Sequence, residues 1–439
     1  MKKLSLCLMI TFLVSAIFAD GVQPSGSGTE SDPYQVETLD NLLWISTDEI
    51  SWDKYFIQTS NIDATDTANW NNGAGFLPFG DTYNRFHGKL DGKGFVISNL
   101  FINRPATNYV GLFGASGNGC IVSNLGVINA DITGNKYVGI LIGNPETSND
   151  EFHNCYVSGN VTGNEEVGGF VGKGCNSIFD KCYSTADVVG TTMVGGFVGG
   201  GAVADITDCY STGNVDGSAE VGGFIGNDSA AFFTNCYSTG FVSGDSNVGG
   251  FGGYHFAGTY TDCFWDTETS GQATSVGGTG KTTTEMQDVA TYTSLTTVGL
   301  DTPWDFVDNP FDDIGNEDYW DIDSMINDGY PYFANPYISI EENVIPELSW
   351  QLSNFPNPFK PTTTIEFSIK NNSNVQLSIY NTKGQKIKTL TNNEFTKGSH
   401  SVIWNGTDNF GNSVSSGIYF YKLNVNGKTV SDKKCLLLK

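Results

Sequence analysis

Apolar and polar positions alternate in short bursts along this chain, and the bursts recur in order. Asn154-Cys155-Tyr156-Val157 leads to Val167-Gly168-Gly169-Phe170-Val171-Gly172. Lys181-Cys182-Tyr183-Ser184 leads to Val194-Gly195-Gly196-Phe197-Val198-Gly199, and two further lines open at Asp208-Cys209-Tyr210 and Asn235-Cys236-Tyr237. A fifth line opens at Asp262-Cys263-Phe264 and breaks off. Cys155, Cys182, Cys209, Cys236 and Cys263 stand 27 residues apart. Each apolar run is too short for a helix, rich in Val, Phe, Tyr and Ile, and bounded by Gly, Asn and Ser, which predicts strands and tight corners. A fixed period of this size means stacked supersecondary units. One 27-residue unit accommodates about three short strands and three corners, so the prediction is an all-β parallel solenoid with about 4.8 Å between coils.

Stacking places equivalent residues in ladders along the axis. Phe170, Phe197, Phe224 and Phe251 make one, Val161, Val188, Val215 and Val242 a second, and Phe152, Phe179, Ile206, Phe233 and Tyr260 a third. The repeated Gly-Gly is expected where a corner needs positive φ or close backbone approach. The Val-Gly-Gly-Phe-Val-Gly run and its copies, beginning at Val110, Val138, Val167, Val194, Val221 and Val248, resemble the GLUG motif of secreted bacterial surface proteins. The resemblance implies an adhesin-like role. Some proteins of that family also carry a peptidase domain elsewhere.

Around the repeats the chain divides into further segments. Residues 1–19 have a basic start (Lys2, Lys3), an apolar stretch and Ala19 at a cleavage position, the pattern of a signal peptide. Residues 20–85 are expected to form a leader and an N-terminal cap, with Leu39, Leu42, Leu43 and Ile45 at helical spacing. The solenoid is assigned to 86–270. Residues 271–334 open with a Gly/Thr/Ser loop, then Thr284-Glu285-Met286-Gln287 at capping-box spacing, which predicts a short helix to about Leu295. An Asp-rich stretch with Trp304, Phe306, Trp320 and Tyr330 then suggests a second cap with an acidic exterior. Residues 335–351 are the linker.

Residues 352–439 form a separate module. Thr362–Ile369, Val375–Tyr380 and Ile418–Val425 alternate with period two, and about seven strands are expected in a small Ig-like β-sandwich. Asn354, Pro356, Asn357 and Pro358, then Gly417 and Tyr419, then the basic, aliphatic end with Lys434 and Lys439, resemble the Ig-like domain of flagellar hook-capping proteins. They also resemble the C-terminal sorting domain of type IX secretion substrates. The second resemblance implies the type IX machinery as a partner, export across an outer membrane, and removal of the tail.

Charge sharpens this division. The chain carries −26. From Val344 onward it has 11 Lys against five acidic residues, +6, so the remainder carries −32. A chain this acidic is a poor partner for nucleic acid or an anionic membrane. Beyond the leader, no run is long enough to span a membrane in the mature chain.

For chemistry, equivalent cysteines on adjacent coils would lie about 4.8 Å apart with parallel side chains, a poor geometry for the ~90° disulfide torsion. They are expected to be buried apolar filler. The four histidines form no His-Glu-x-x-His. Asp208 and Asp262 share a repeat position but stand two coils apart, so a carboxylate pair for polysaccharide chemistry is not built there. No cofactor is expected; a structural Ca²⁺ on Asp321 and Asp323 is the one metal alternative. Tyr156, Tyr183, Tyr210, Tyr237 and Phe264 form the aromatic ladder proposed to bind. Strand alternation sets them opposite the cysteines, either as an exposed stripe able to meet a glycan or an extracellular protein, or packed at a corner. The expectation is a secreted or outer-surface, non-catalytic contact protein of a Gram-negative-type bacterium. The alternatives are a polysaccharide-active β-helix enzyme and a passive stalk or surface-layer component.

Overall fold

The computed structural model describes residues 21–439 apart from 147–148, 203, 308–318, 325, 335–351 and short gaps in the C-terminal module at 356, 358, 370–372, 382, 384, 397, 426–427 and 438–439. The segments expected to be a signal peptide and a linker, with Pro356, Pro358 and Lys439, lie outside the described residues. The chain divides into two compact units, to Tyr337 and from Ile338.

The first unit is a parallel β-solenoid of about six coils. The repeated apolar bursts become four stacks of strands. One nine-stranded sheet runs from Tyr34–Val36 to Thr259–Thr261. It carries Phe152, Phe179, Ile206 and Phe233 inward in direct register. A second sheet carries the Cys-Tyr strands and the Val161–Val242 ladder. The third and fourth flank the GLUG copies, Lys136–Val138 to Ser246–Gly249 and Phe113–Ser116 to Gly252–His255. Identical residues therefore stack on themselves. Phe170, Phe197, Phe224 and Phe251 lie 4.7–5.0 Å apart with near-parallel rings. The Phe179 and Phe233 rings meet that ladder edge to face, the favourable alternative to stacking for ring quadrupoles.

The corners are made differently from the sequence expectation. Among the glycines of the six motif copies, none has positive φ; the left-handed positions belong to the residue just before each motif, Tyr109, Tyr137, Glu166, Met193, Glu220 and Asn247, with φ of 52–63°. A second left-handed set, Asn124, Asn154, Lys181, Asp208, Asn235 and Asp262, precedes the next strand, with φ of 51–53°. The glycines serve close approach instead. A Cβ on Gly199 would lie under 3 Å from the Val167 amide of the coil beside it.

The parallel stack begins earlier than the repeat is legible, because Tyr34–Val36, Tyr55–Gln58 and Lys89–Asp91 already pair in register. The predicted helix is α1, Leu39–Thr47, with Thr38 and Asn41 capping each other's backbone. The loop at 271–281 forms a final partial turn, in which Thr279–Lys281 pairs with Phe264–Asp266. The next helix starts at Thr283, two residues before the predicted box: Thr282 and Glu285 make the reciprocal cap. It ends at Met286, and a second one-turn helix covers Ala290–Thr293.

The second unit is an all-antiparallel sandwich of seven strands among the described residues. Leu352–Phe355, Thr363–Ile369 and Gly398–Trp404 form one sheet. Lys386–Phe395, Ser373–Asn381, Gly417–Val425 and Lys428–Leu437 form the other. Leu377, Ile379, Ile365, Trp404, Tyr421 and Leu423 fill the space between.

Candidate functional site

The Cys-Tyr alternation sets the site. Each cysteine points into the core, where Cys155, Cys182, Cys209 and Cys236 are fully buried. Each thiol donates to the carbonyl two residues before it, 3.2–3.4 Å away. Burial pushes the thiols of Cys155, Cys182, Cys209 and Cys236 up from the ordinary cysteine range. The next residue must point outward, and Tyr156, Tyr183, Tyr210 and Tyr237 do so, stacked at 4.6–5.1 Å with interplanar angles of 3–8°. Phe264 continues the register. The following serines turn back inward: Ser211 and Ser238 donate to the Gly223 and Gly250 carbonyls.

Two properties of this ladder bear on binding. First, the rings spend their faces on each other, so only edges point away from the rod. A sugar ring needs an aromatic face, and a stacked column offers one only at its end. At that end Tyr156 leans over Gly126, where a Cβ would strike the ring. Second, the stripe is not open to solvent over most of its length. The described residues of 282–307 and 319–334 lie on it as a flap. Tyr210 is 4% exposed, and Tyr237 and Phe264 are 0%; Tyr156 and Tyr183 remain half-buried. Trp320 packs on Tyr210 and Tyr237, Trp304 on Tyr237 and Phe264, and Tyr292 edge-on against Phe264. Phe333 reaches Tyr183.

The flap is pinned by the polar corner residues of the coils. Asp208 accepts from Asn235 of the next coil (3.0 Å) and from the Trp320 indole (3.2 Å). Burial holds its carboxyl above the usual range. Asp262 accepts from the Asp301 and Thr302 amides, and burial raises it likewise. The Tyr330 hydroxyl donates to Asp266 at 2.7 Å. The Tyr237 hydroxyl donates to the Pro331 carbonyl and accepts from Asn327. Lys181 lies 3.8 Å from the centre of the Tyr319 ring and 3.0 Å from Asp180. The two carboxylates weighed for catalysis thus serve as hooks for the flap.

Other predicted residues have structural partners too. Asp321 accepts from the Tyr332 hydroxyl at 2.5 Å and from the Ile322 amide. Among the described residues no group of three His, Cys, Asp or Glu converges on a point beside Asp321 and Asp323 or elsewhere. In the sandwich, Asn354 donates to Thr363 and accepts from the Tyr421 hydroxyl. Asn357 accepts from the Leu436 amide, which ties the entry of the module to its last strand. The Tyr419 hydroxyl donates to the Ser415 carbonyl. Gly417 has φ 150° and open space at its Cβ. Lys434 is exposed and pairs in register with Phe420.

The sequence reading missed the buried carboxylates that anchor the loops between the fourth sheet and the first. Asp150 accepts from Ser116 and the Gly119 and Cys120 amides, and burial pushes it up to about 6. Asp228 accepts from the Ala230 and Ala231 amides, His255 and Tyr260. Neither follows the 27-residue period, so no repeat signal marks them.

Comparison with known proteins agrees with this division. Residues 190–216 match the GLUG motif family and residues 358–429 the FlgD Ig-like domain family. Over 151 residues, 34% of the chain, it is 40% identical to halomucin of Haloquadratum walsbyi, of which the match spans 2%. Over 149 residues, 31% of the chain, it is 36% identical to a protein of Evansella cellulosilytica described as a Gly-rich membrane protein, of which the match spans 17%. Among solved structures, PorZ, a surface component of the type-IX secretion system of Porphyromonas gingivalis, aligns over 27% of this chain and 16% of its own at 17% identity. The TM-score is 0.17, a likeness that carries no argument. Among the described residues no helix is long and apolar enough to cross a membrane.

Proposed function

We propose that this chain is a non-catalytic, surface-displayed contact protein: the solenoid makes adhesin-like contacts with a glycan or an extracellular protein, and the C-terminal module directs its export through a type IX secretion machinery. The observation that carries the reading is the repeat itself. The repeat thiols are committed to the core, Asp208 and Asp262 to the flap, and Ser211 and Ser238 to glycine carbonyls. The outward positions recur every 27 residues while their residues vary, as Glu151, Ile178, Asp205 and Phe232 do in one row, a long face on which many weak contacts can combine into avidity. The names of its two relatives, a halomucin and a Gly-rich membrane protein, are consistent with display at a cell envelope. The basic module with Asn354, Asn357, Gly417, Tyr419 and Lys434 in one fold supports the sorting role.

Because the tyrosine column is mostly covered, the contact surface is assigned to the outward positions of the coils outside the flap. The experiment is protease shaving of intact cells making the full chain, beside cells making a chain that ends at residue 351. The full chain should be cleaved from outside and the shortened chain retained in the periplasm. Equal surface exposure of both would overturn the sorting role. A cytoplasmic full chain would overturn display.

A further inference from the structure

The whole-chain charge hides a basic face on the C-terminal module. We propose that the outer face of its four-stranded sheet binds acidic polysaccharide, a chain of sugar rings bearing carboxylates. This goes beyond the reading above, which puts the adhesin-like contacts on the solenoid, and it rests on that reading for its setting at the cell surface. On this sheet Val375, Leu377 and Ile379, with Tyr421 and Leu423, point into the sandwich. Alternation sends Gln376 and Tyr380, with Ile418, Phe420, Lys422 and Asn424, outward.

Register then assembles one row across all four strands: Lys386, Tyr380, Phe420 and Lys434 stand side by side. The ammonium groups of Lys386 and Lys422 lie 5.8 and 5.7 Å from the centre of the Tyr380 ring. One ring is thus held between two cations, the cation–π arrangement. Lys386 and Lys434 are exposed, and Tyr380, Phe420 and Lys422 half-buried. Farther along the same face come Gln376, Asn424 and Asn392, and Asn424 donates to Gln376 at 3.5 Å. Acidic residues are sparse here. Asp432 stands opposite Lys422 in register. Glu394 pairs with Asn374, six residues along the strand from Tyr380, or about 20 Å.

Half-buried aromatic side chains with lysines beside them are groups an acidic glycan uses, for apolar contact and carboxylate pairing. A bilayer would instead select a cluster of protruding apolar side chains, whereas on this face Ile418 is exposed and Tyr380 and Phe420 are half-buried. The −32 on the rest of the chain does not cancel this face at contact range, because charge is screened over about 8 Å at physiological salt.

The test is affinity electrophoresis of the full chain through gels containing polygalacturonate or neutral dextran, with flotation on phosphatidylglycerol vesicles alongside. Polygalacturonate should retard the chain and dextran should not. Half-molar salt should abolish the retardation. The double variant Lys386→Glu/Lys422→Glu should weaken it about tenfold, and Tyr380→Ala by several-fold. Both variants should keep Cys435 protected from alkylation, the sign of an intact sandwich. No retardation at low salt, equal retardation of the variants, or binding to vesicles alone would each overturn the proposal. Shaving of cells reads surface display separately, so a displayed chain that ignores polygalacturonate refutes this inference and leaves the earlier one standing.

Discussion

Alanine at two glycines of neighbouring strands should act in opposite directions. Gly199 lies in the strand Val198–Ala202 and Gly174 in Val171–Cys175, adjacent strands of the same sheet. Neither has positive φ, so conformational strain does not separate them. Space does. A Cβ on Gly199 would lie under 3 Å from the Val167 amide, the Glu166 carbonyl carbon and the Gly172 oxygen, all backbone. A Cβ on Gly174 would meet only side chains, at 3.6 Å or more. Backbone in a parallel ladder cannot rotate aside, so the Gly199→Ala coil must move outward by about an ångström and stretch its hydrogen bonds. Overpacking costs about 1–3 kcal/mol and sometimes more; with backbone as the obstacle we expect about 3 kcal/mol or above. Gly174→Ala should be neutral or stabilising by up to about 1 kcal/mol, because the unfolded chain loses freedom. Pulse alkylation of Cys182, Cys209 and Cys236 across a urea series reports the solenoid alone. The midpoint should fall for Gly199→Ala and hold or rise for Gly174→Ala. If both variants shift alike, close coil approach is not what the motif glycines supply.

Tyr237→Phe removes a hydroxyl that serves both Pro331 and Asn327 in a buried setting, so the flap should loosen by about 1–3 kcal/mol. Hydrogen exchange at 320–333 should accelerate while the coil amides keep their rates. Asp150 sits at about 6 in the fold against an ordinary 3.8. Between those values the folded state binds more protons than the unfolded one, so this contribution to stability is full below pH ~4 and is lost as pH rises to ~6. Asp150→Asn should flatten that slope in urea midpoints taken at pH 4, 5 and 6.5; an unchanged slope would refute the assignment. Ending the chain at Gly427 removes the strand Lys428–Leu437 and with it buried Cys435 and Leu437. The module should lose its cooperative transition while the alkylation midpoint of Cys209 stays put. All five repeat thiols should react with a disulfide reagent only after unfolding, because burial puts them out of reach.

Much of the architecture was legible because repetition converts a local pattern into a spatial one. Once Cys155 recurs at 182 and 209, parallel stacking puts Phe170 on Phe197 and Val161 on Val188 with no further information. The same holds for the sandwich, where period-two alternation at Thr363–Ile369 and Gly417–Val425 sorts core from surface within each strand. Alternation also sends the tyrosines outward, opposite the cysteines. What it could not say is what covers them. The flap residues Trp304, Trp320 and Phe333 lie roughly 70 to 150 positions from the tyrosines they meet, and no periodicity links them. Aromatic density after residue 300 was the only signal, and it fits an end cap as well as a lateral cover. Corner conformation was hidden for a related reason: Lys181, Glu166 and Met193 take left-handed φ because stacked coils hold them there, not because their own preferences ask for it. The sequence by itself determined the periodic core, since burial there repeats with the chain. Only the tertiary structure decided that the outward tyrosine column binds the chain's own flap, since pairing between non-repeating segments depends on shape and hydrogen-bond partners that come together after the rod has formed.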